Sequence, residues 1–269
     1  MENIDFQNKH LSILLRSDGF SFCVLDKTTE KYSDVHNIYS NEKFVTPQMQ
    51  LEFIEDKFIK NKILRNAKFQ SVNVTHCNSL STFVPEPFFN VENLASYLKY
   101  NIKVLSNDFI AYDTIENTEI VNVYVPFVHI NNFLFDKFGS FEYKHSSSVL
   151  VETLLKKYTN SDKTHFFVNV ENDEFQIIVL KRKKLEFYNS FNFKTKEDFI
   201  YYILFTAEQL NLNPEEFQLT LIGEIEKESE LYSIVFQYVR SVDFIEYKNP
   251  FLTEFETSNH SNFTLLNQQ

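Results

Sequence analysis

THFFVNVENDEFQIIVLKRKKLEFY, residues 164–188, decides the fold. His165–Val170 and Phe175–Leu180 are apolar runs of strand length, and Leu185–Ser190 makes a third. Glu171-Asn172-Asp173-Glu174 and Lys181-Arg182-Lys183-Lys184 separate them as short polar turns. Thr195-Lys196-Glu197-Asp198 then has the form of a capping box with Asp at its third position. Phe199, Ile203, Ala207 and Leu210 recur behind it at helical spacing, and Asn213-Pro214 stops the helix. Phe217–Ile222 reads as a strand, Gly223 as a turn, Ser229–Val239 as a helix and Val242–Ile245 as a last short strand.

The same order appears earlier in the chain. Leu11–Leu15 and Phe20–Leu25 flank Arg16-Ser17-Asp18-Gly19, where Asp-Gly signals a hairpin because Gly tolerates positive φ. Tyr32–Ile38 is the third strand. Thr46 caps a helix with Pro47 at its first position, and Leu51, Ile54, Phe58 and Ile59 give that helix one apolar face. Phe69–Val74 alternates as a half-buried strand does, so it pairs parallel with the first strand through a crossover.

Phe83-Val84-Pro85-Glu86-Pro87 is expected to break regular structure. Asn90 caps a short helix with Val91, Leu94 and Leu98 inward, and residues 108–115 and 119–125 form a strand pair. His129–Phe138 is a helix ended by Gly139. A strand over 141–144 and a helix over 146–158 follow, and Thr159-Asn160-Ser161-Asp162-Lys163 is a polar junction. Three lengths of chain result: a lobe over 1–158 with an insertion around 83–115, a lobe over 163–246, and a polar, loosely held tail over 247–269.

The 269 residues are enough for two modest domains. The balance is globular, 43% hydrophobic and 23% charged, with 30 Phe but only three Gly. Lys far outnumbers Arg and Asn is frequent, so an AT-rich coding bias accounts for the Phe, which read as core. A net charge of −11 argues against broad phosphate-backbone binding, making nucleic acid an unfavoured partner. Residues 1–10 mix charges without an apolar core, and no apolar run approaches the roughly 20 residues that span a bilayer. Cys23 and Cys77 are too few for a disulfide framework or a Cys-based metal site. A cytoplasmic protein without membrane insertion is expected.

Antiparallel strands followed by a parallel crossover form a ribonuclease H-like unit. A tandem pair of such units is the actin/sugar-kinase/heat-shock ATPase architecture. With residues 11–25 (LSILLRSDGFSFCVL), residues 166–180 and Leu219-Thr220-Leu221-Ile222-Gly223 in place, the chain resembles bacterial actin-like proteins of the pilus-assembly and cell-division branch. It resembles more closely an uncharacterised Bacteroidetes family with an actin-like ATPase fold. The resemblance implies an α/β protein of actin-like ATPase fold, with two tandem ribonuclease H-like lobes and mixed sheets. It brings no established activity.

Functional members of that superfamily carry an Asp near the end of each first strand, for Mg²⁺ and water. Small residues in each hairpin let backbone N–H groups approach phosphates. On this resemblance the vestigial cleft residues are Ser17, Asp18, Gly19, Asn169 and Gly223. The first Asp position is apolar, about Leu14, and the second falls near Asn169. The second turn carries Glu171, Asp173 and Glu174, and Gly223 is followed by Glu224, Glu226 and Glu228. ATP brings roughly four negative charges, and each close like-charge pair costs a few kcal/mol even at an effective dielectric near 20.

The expected function is therefore a non-catalytic interaction or assembly module with a degenerate nucleotide site, no cofactor and an unidentified protein partner. Self-association stays open. The alternatives are a divergent ATP-binding ATPase using the same residues and an RNA-associated accessory factor using Lys181–Lys184. A two-metal nuclease is rejected, because Asp18, Asp26 and Asp113 read as solvated residues at turns or strand ends. His76-Cys77 has no second ligand pair at metal spacing and reads as a strand-end His beside a buried thiol.

Overall fold

The computed structural model describes residues 8–32, 35–66, 68–99, 108–246 and 260–268. It divides into two compact units, residues 8–150 with 264–268 and residues 151–246 with 260–263.

In the first unit, β1 (Lys9–Arg16) and β2 (Gly19–Asp26) form the expected hairpin. The third strand is two short pieces, β3 (Lys31–Tyr32) and β4 (His36–Tyr39), each paired antiparallel with β2. Thr46 Oγ1 accepts the Met49 N–H at the start of α1 (Pro47–Lys60), and α2 (Lys62–Asn66) follows. The α1 face is phased differently from expectation. Ile54 and Phe58 are buried, but Ile59 is 63% exposed and Gln50 is buried instead. Gln50 turns inward because its amide donates to the Arg16 carbonyl at 2.8 Å.

The crossover delivers β5 (Ser71–His76) parallel to β1, in register from His10–Ser71 to Leu15–His76. Next comes β6 (Ser81–Pro85), a strand where a break was expected. Pro85 is tolerated because it ends a strand at the sheet edge, paired only with β8 (Ile120–Tyr124). Single 3₁₀ turns at Glu86–Phe88 and Val91–Asn93 lead into α3 (Leu94–Leu98), which buries Leu98 and leaves Val91 54% exposed. β7 (Ala111–Thr114) and β8 complete a small sheet of order β6-β8-β7. After α4 (Val128–Phe138), β9 (Glu142–His145) joins β5 in parallel, and α5 (Ser146–Lys157) begins at once.

The larger sheet runs β3-β2-β1-β5-β9 with β4 also on β2. Its core face sets Leu11, Ile13, Leu15, Phe20, Phe22, Val72 and Val74 against Ile54, Phe58, Ile130 and Leu134. The Phe58 ring lies 5.1 Å from that of Phe20 and 5.3 Å from that of Phe133.

The second unit follows its sequence closely. β10 (His165–Glu171), β11 (Glu174–Lys181) and β12 (Lys184–Asn192) are a meander. Thr195 and Asp198 form the expected capping box on α6 (Lys196–Gln209). β13 (Gln218–Gly223), α7 (Glu230–Tyr238) and β14 (Ser241–Phe244) complete a sheet of order β12-β11-β10-β13-β14, whose β10–β13 and β13–β14 pairs are parallel. Phe166, Val168, Phe175, Ile177, Leu219 and Leu221 meet Phe199, Ile203 and Val235 in its core.

The loosely held tail is corrected for residues 260–268. Phe263, Leu265 and Leu266 are at most 4% exposed, with α8 over Phe263–Leu266. In the first unit the Leu266 carbonyl accepts from Tyr32 Oη and the Gln268 carbonyl from the Asn73 amide. In the second, His260 Nε2–H donates to the Ile225 carbonyl at 2.7 Å. Polar composition misled here because these polar groups have internal partners. Phe251, Leu252 and Phe255, with residues 1–7 and 100–107 of the insertion, lie outside the described residues.

Phe58→Ala should cost about 3–5 kcal/mol in urea unfolding. Ile59→Ala, one residue further on the same helix, should stay within about 0.5 kcal/mol of wild type. Equal losses would refute this helix phase.

Candidate functional site

At the β1–β2 hairpin, Ser17 and Asp18 are the turn residues, and Gly19 is already paired with Arg16 across the ladder. None of the three takes a positive φ. The reason for glycine differs from the one expected. A Cβ on Gly19 would sit 2.1 Å from the Ile38 carbonyl oxygen of β4. The small residue lets β4 close onto β2. The Ser40 N–H donates to the Asp18 carbonyl at 2.8 Å, tying the turn to the same segment. Leu14 is 2% exposed, a core side chain where the superfamily resemblance would have a metal-binding carboxylate.

In the second unit, Asn169 and Gly223 come together. Gly223 has φ +83°, and a Cβ there would meet the Val170 carbonyl oxygen at 2.2 Å and Asn169 Oδ1 at 2.8 Å. The loop's amides have internal acceptors: Gly223 N–H donates to the His260 carbonyl (3.0 Å), Glu224 N–H to Val170 (2.7 Å) and Ile225 N–H to Gly223 (3.0 Å). Asn169 is 3% exposed and donates Nδ2 to Gln176 Oε1 at 2.6 Å, while its Oδ1 has no hydrogen-bond partner. The β10–β11 turn next to it is Asn172-Asp173, with Asn172 at φ +43° and Glu171 facing Glu174.

The basic run is a hairpin tip. Arg182 and Lys183 hold φ +50° and +65°, the two left-handed residues of a type I′ turn, and Lys183 lies 3.7 Å from Asp162.

Sequence reasoning missed a buried polar network in the first unit. Asp113 was expected in solvent, yet it is 8% exposed. Its Oδ1 accepts from Tyr124 Oη (2.9 Å), and its Oδ2 from the His145 N–H (2.8 Å) and Ser148 Oγ (2.6 Å). Asn122 Nδ2 donates to both Ser147 Oγ (2.9 Å) and Ser148 Oγ (2.8 Å). His145 Nε2 lies 3.1 Å from the Asn78 carbonyl, which can only accept. The ring proton is therefore on Nε2, and Nδ1 accepts from Ser147 Oγ at 2.7 Å. The circuit clasps β7 and β8 to the first turn of α5. One signal was legible: Asp113 shares its parity with Ala111 and Ile115, the inward positions of that strand.

Burial fixes the charge states. It holds His76 and His145 down to about 3, and His10 down to about 4 with help from Lys27. Burial pushes the Asp113 carboxyl up against the pull of its three donors, and raises Cys23 to about 12. No group of three or more His, Cys, Asp or Glu suited to a metal ion occurs among the described residues.

Residues 1–242 match the family described as "Protein of unknown function (DUF3822)". The chain belongs to the DUF3822 family. No curated protein matches the sequence. Among solved structures, this DUF3822 chain is similar to a Bacteroides thetaiotaomicron protein with "actin-like ATPase fold and unknown function". The two are 22% identical over 91% of this chain and 94% of the other, with a TM-score of 0.76. It is also similar to a chain of a "PilM-PilN type IV pilus biogenesis complex", at 8% identity, 95% and 96% coverage and a TM-score of 0.63. The fold is the actin-like ATPase fold.

Three outcomes test this geometry. Gly19→Ala should cost about 1–3 kcal/mol by overpacking against β4, and Gly223→Ala about 1–2 kcal/mol more for its left-handed backbone, both read by urea unfolding. Asp113→Ala strands three buried donors and should cost at least about 3 kcal/mol, with Asp113→Asn milder. The third outcome concerns pH. His10, His76 and His145 have folded pKa values below 6.5, so the unfolded chain binds more protons as pH falls. Their stability is complete above 6.5 and is lost below it, about 1.4 kcal/mol per histidine for each pH unit until the folded pKa is reached. Asp113, raised above its ordinary 3.8, acts in the opposite sense, adding stability as pH falls through its raised value. The melting temperature should fall between pH 7.5 and 5.5, and a flat profile would contradict the buried neutral histidines.

Proposed function

We propose that this DUF3822 protein is a non-catalytic interaction or assembly module of the cytoplasm, an actin-like fold whose nucleotide site is degenerate. The observation that carries the reading is the use made of its two site glycines. The space left by the missing side chain at Gly19 is filled by the Ile38 carbonyl, and that at Gly223 by the Val170 carbonyl. A phosphate approaching either backbone would meet the protein's own carbonyl oxygen, which repels it. The Gly223, Glu224 and Ile225 amides already have internal acceptors, so they offer an anion little. Leu14 in place of a carboxylate supports the same reading.

A protein partner fits the edge of the second sheet. β12 is nine residues long and is the outermost strand of its sheet. An extended partner segment adds to such an edge through main-chain hydrogen bonds. Asn189 Oδ1 accepts the Ser190 N–H at 2.9 Å, which blunts the edge against indiscriminate pairing. Among the described residues no helix is long and apolar enough to cross a membrane.

One observation favours a second reading, a divergent nucleotide-binding ATPase. Asn169 Oδ1, buried and unpartnered beside Gly223, is an acceptor that a bound water or ion would satisfy.

Thermal melting with millimolar ATP or ADP and Mg²⁺ separates the two, because a ligand that binds only the folded state raises its melting temperature. The expected result is no shift. A rise of several degrees, abolished by Asn169→Leu, would establish the second reading and end the first.

A further inference from the structure

β12 is the outer strand of the second unit's sheet, with β11 as its one neighbour among the described residues. Its register with β11 shifts at Val179/Leu180, so the regular part of the edge is FYNSFN, residues 187–192. No charge and no proline protects that stretch, although edge strands are ordinarily guarded by one or the other.

The main chain of this stretch alternates between β11 and the open edge. Phe193 N–H donates to the Asp173 carbonyl at 3.1 Å, so by the two-residue period of an antiparallel ladder Phe191, Asn189 and Phe187 also direct their backbone to β11. Ser190 faces away, and its N–H turns to the side chain before it, Asn189 Oδ1, at 2.9 Å.

Apolar surface continues from this edge onto the helix above it. Phe187 and Phe191 are half-buried, and Tyr202 of α6 stacks on Phe191 with ring centroids 4.7 Å apart. Phe205, three residues later on the same side of α6, is 44% exposed, and Tyr201 stacks on it at 5.8 Å. An isolated extended peptide would cover the strand and leave the helix side in water. A partner that carries its own helix over its own edge strand covers both, and a second copy of this chain is such a partner.

Two-fold symmetry restricts how β12 meets itself. The strands run antiparallel, and each residue must face one whose backbone points the same way, so the axis passes through a residue rather than between two. Centred on Asn189, the pairing sets Phe187 against Phe191 of the second copy and Ser190 against Tyr188. Centred on Tyr188 or Ser190, it would set Phe187 or Phe191 against Asn189. Aromatic pairs across strands stabilise, and residues 187–191 carry no charge to oppose the pairing.

We propose that β12 pairs antiparallel with β12 of a second copy about a two-fold axis at Asn189, joining the two five-stranded sheets into one and bringing the two α6 helices together. The proposal rests on the reading of this protein as an assembly module and names that module's partner as a second copy.

The test is sedimentation velocity of the full chain from about 5 to about 300 μM in about 0.15 M salt, where a Debye length of about 8 Å screens the net charge of −11 between copies. The mass should rise from 32.0 kDa to twice that value and stop, because a two-fold contact uses up the edge. Asn189 is exposed, so Asn189→Lys should leave the melting temperature unchanged. It places two ammonium groups face to face only in the dimer, and should weaken association at least about tenfold. Asn189→Cys should cross-link under oxidised glutathione, two thiols giving one S–S bond and two reduced glutathiones, because facing residues on the axis have Cα atoms about 4.5 Å apart. Glu186→Cys, exposed on the same strand but off the axis, should not, and the native Cys23 and Cys77 are buried. The proposal is overturned if the wild-type chain stays monomeric or grows past the dimer, if Asn189→Lys dimerises like wild type, or if Glu186→Cys cross-links as readily as Asn189→Cys. A monomer would leave the nucleotide-melting result as it stands, so failure of the dimer and failure of the non-catalytic reading are distinguishable.

Discussion

Two carbonyl oxygens decide how the strand ends of this protein pack. Ile38 O stands where a side chain on Gly19 would go, and Val170 O where one on Gly223 would go. Each close approach is possible only because the residue is glycine. Around the first, β4 closes onto β2 and the Ser40 amide ties down the turn. Around the second, β13 turns out of the sheet and the chain returns at His260 to accept the Gly223 amide. The glycines serve the packing of the chain on itself.

The rest of the architecture is an arrangement of ordinary forces. Each large sheet buries one apolar face under helices, where the removal of apolar surface from water dominates. Several buried polar groups of the first unit share one network. Asp113 takes three donors, Asn122 joins two serines, and His145 is held in one tautomer by the Asn78 carbonyl. Such a network is strong when complete and costly when broken. It holds the small sheet to the first turn of α5, an attachment that hydrophobic contact alone would leave free to slide.

Legibility differed between the two units for a physical reason. The strands of the second unit are nearly continuous Phe, Val, Ile and Leu separated by charged turns, so their period, their turns and the Thr195–Asp198 cap all stand in the sequence. In the first unit, β6 carries a proline at its edge-facing end, and α1 buries Gln50 while exposing Ile59. These departures depend on a partner strand and on an acceptor, the Arg16 carbonyl, that lies far away in sequence. The tail read as loose because its polar residues suggested water, and residues 260–268 are buried because their partners lie on β3, on β5 and after β13.

Local pattern by itself determined the order of elements outside β6, the duplicated plan, the hairpins and the absence of a carboxylate at Leu14. These follow from side-chain period and backbone preference within a few residues. Tertiary structure alone decided why Gly19 is glycine, where Asp113 points and what the Gly223 amide bonds to. Each of those depends on atoms brought together from distant parts of the chain, and hydrogen bonding and steric exclusion act at distances that sequence separation does not encode.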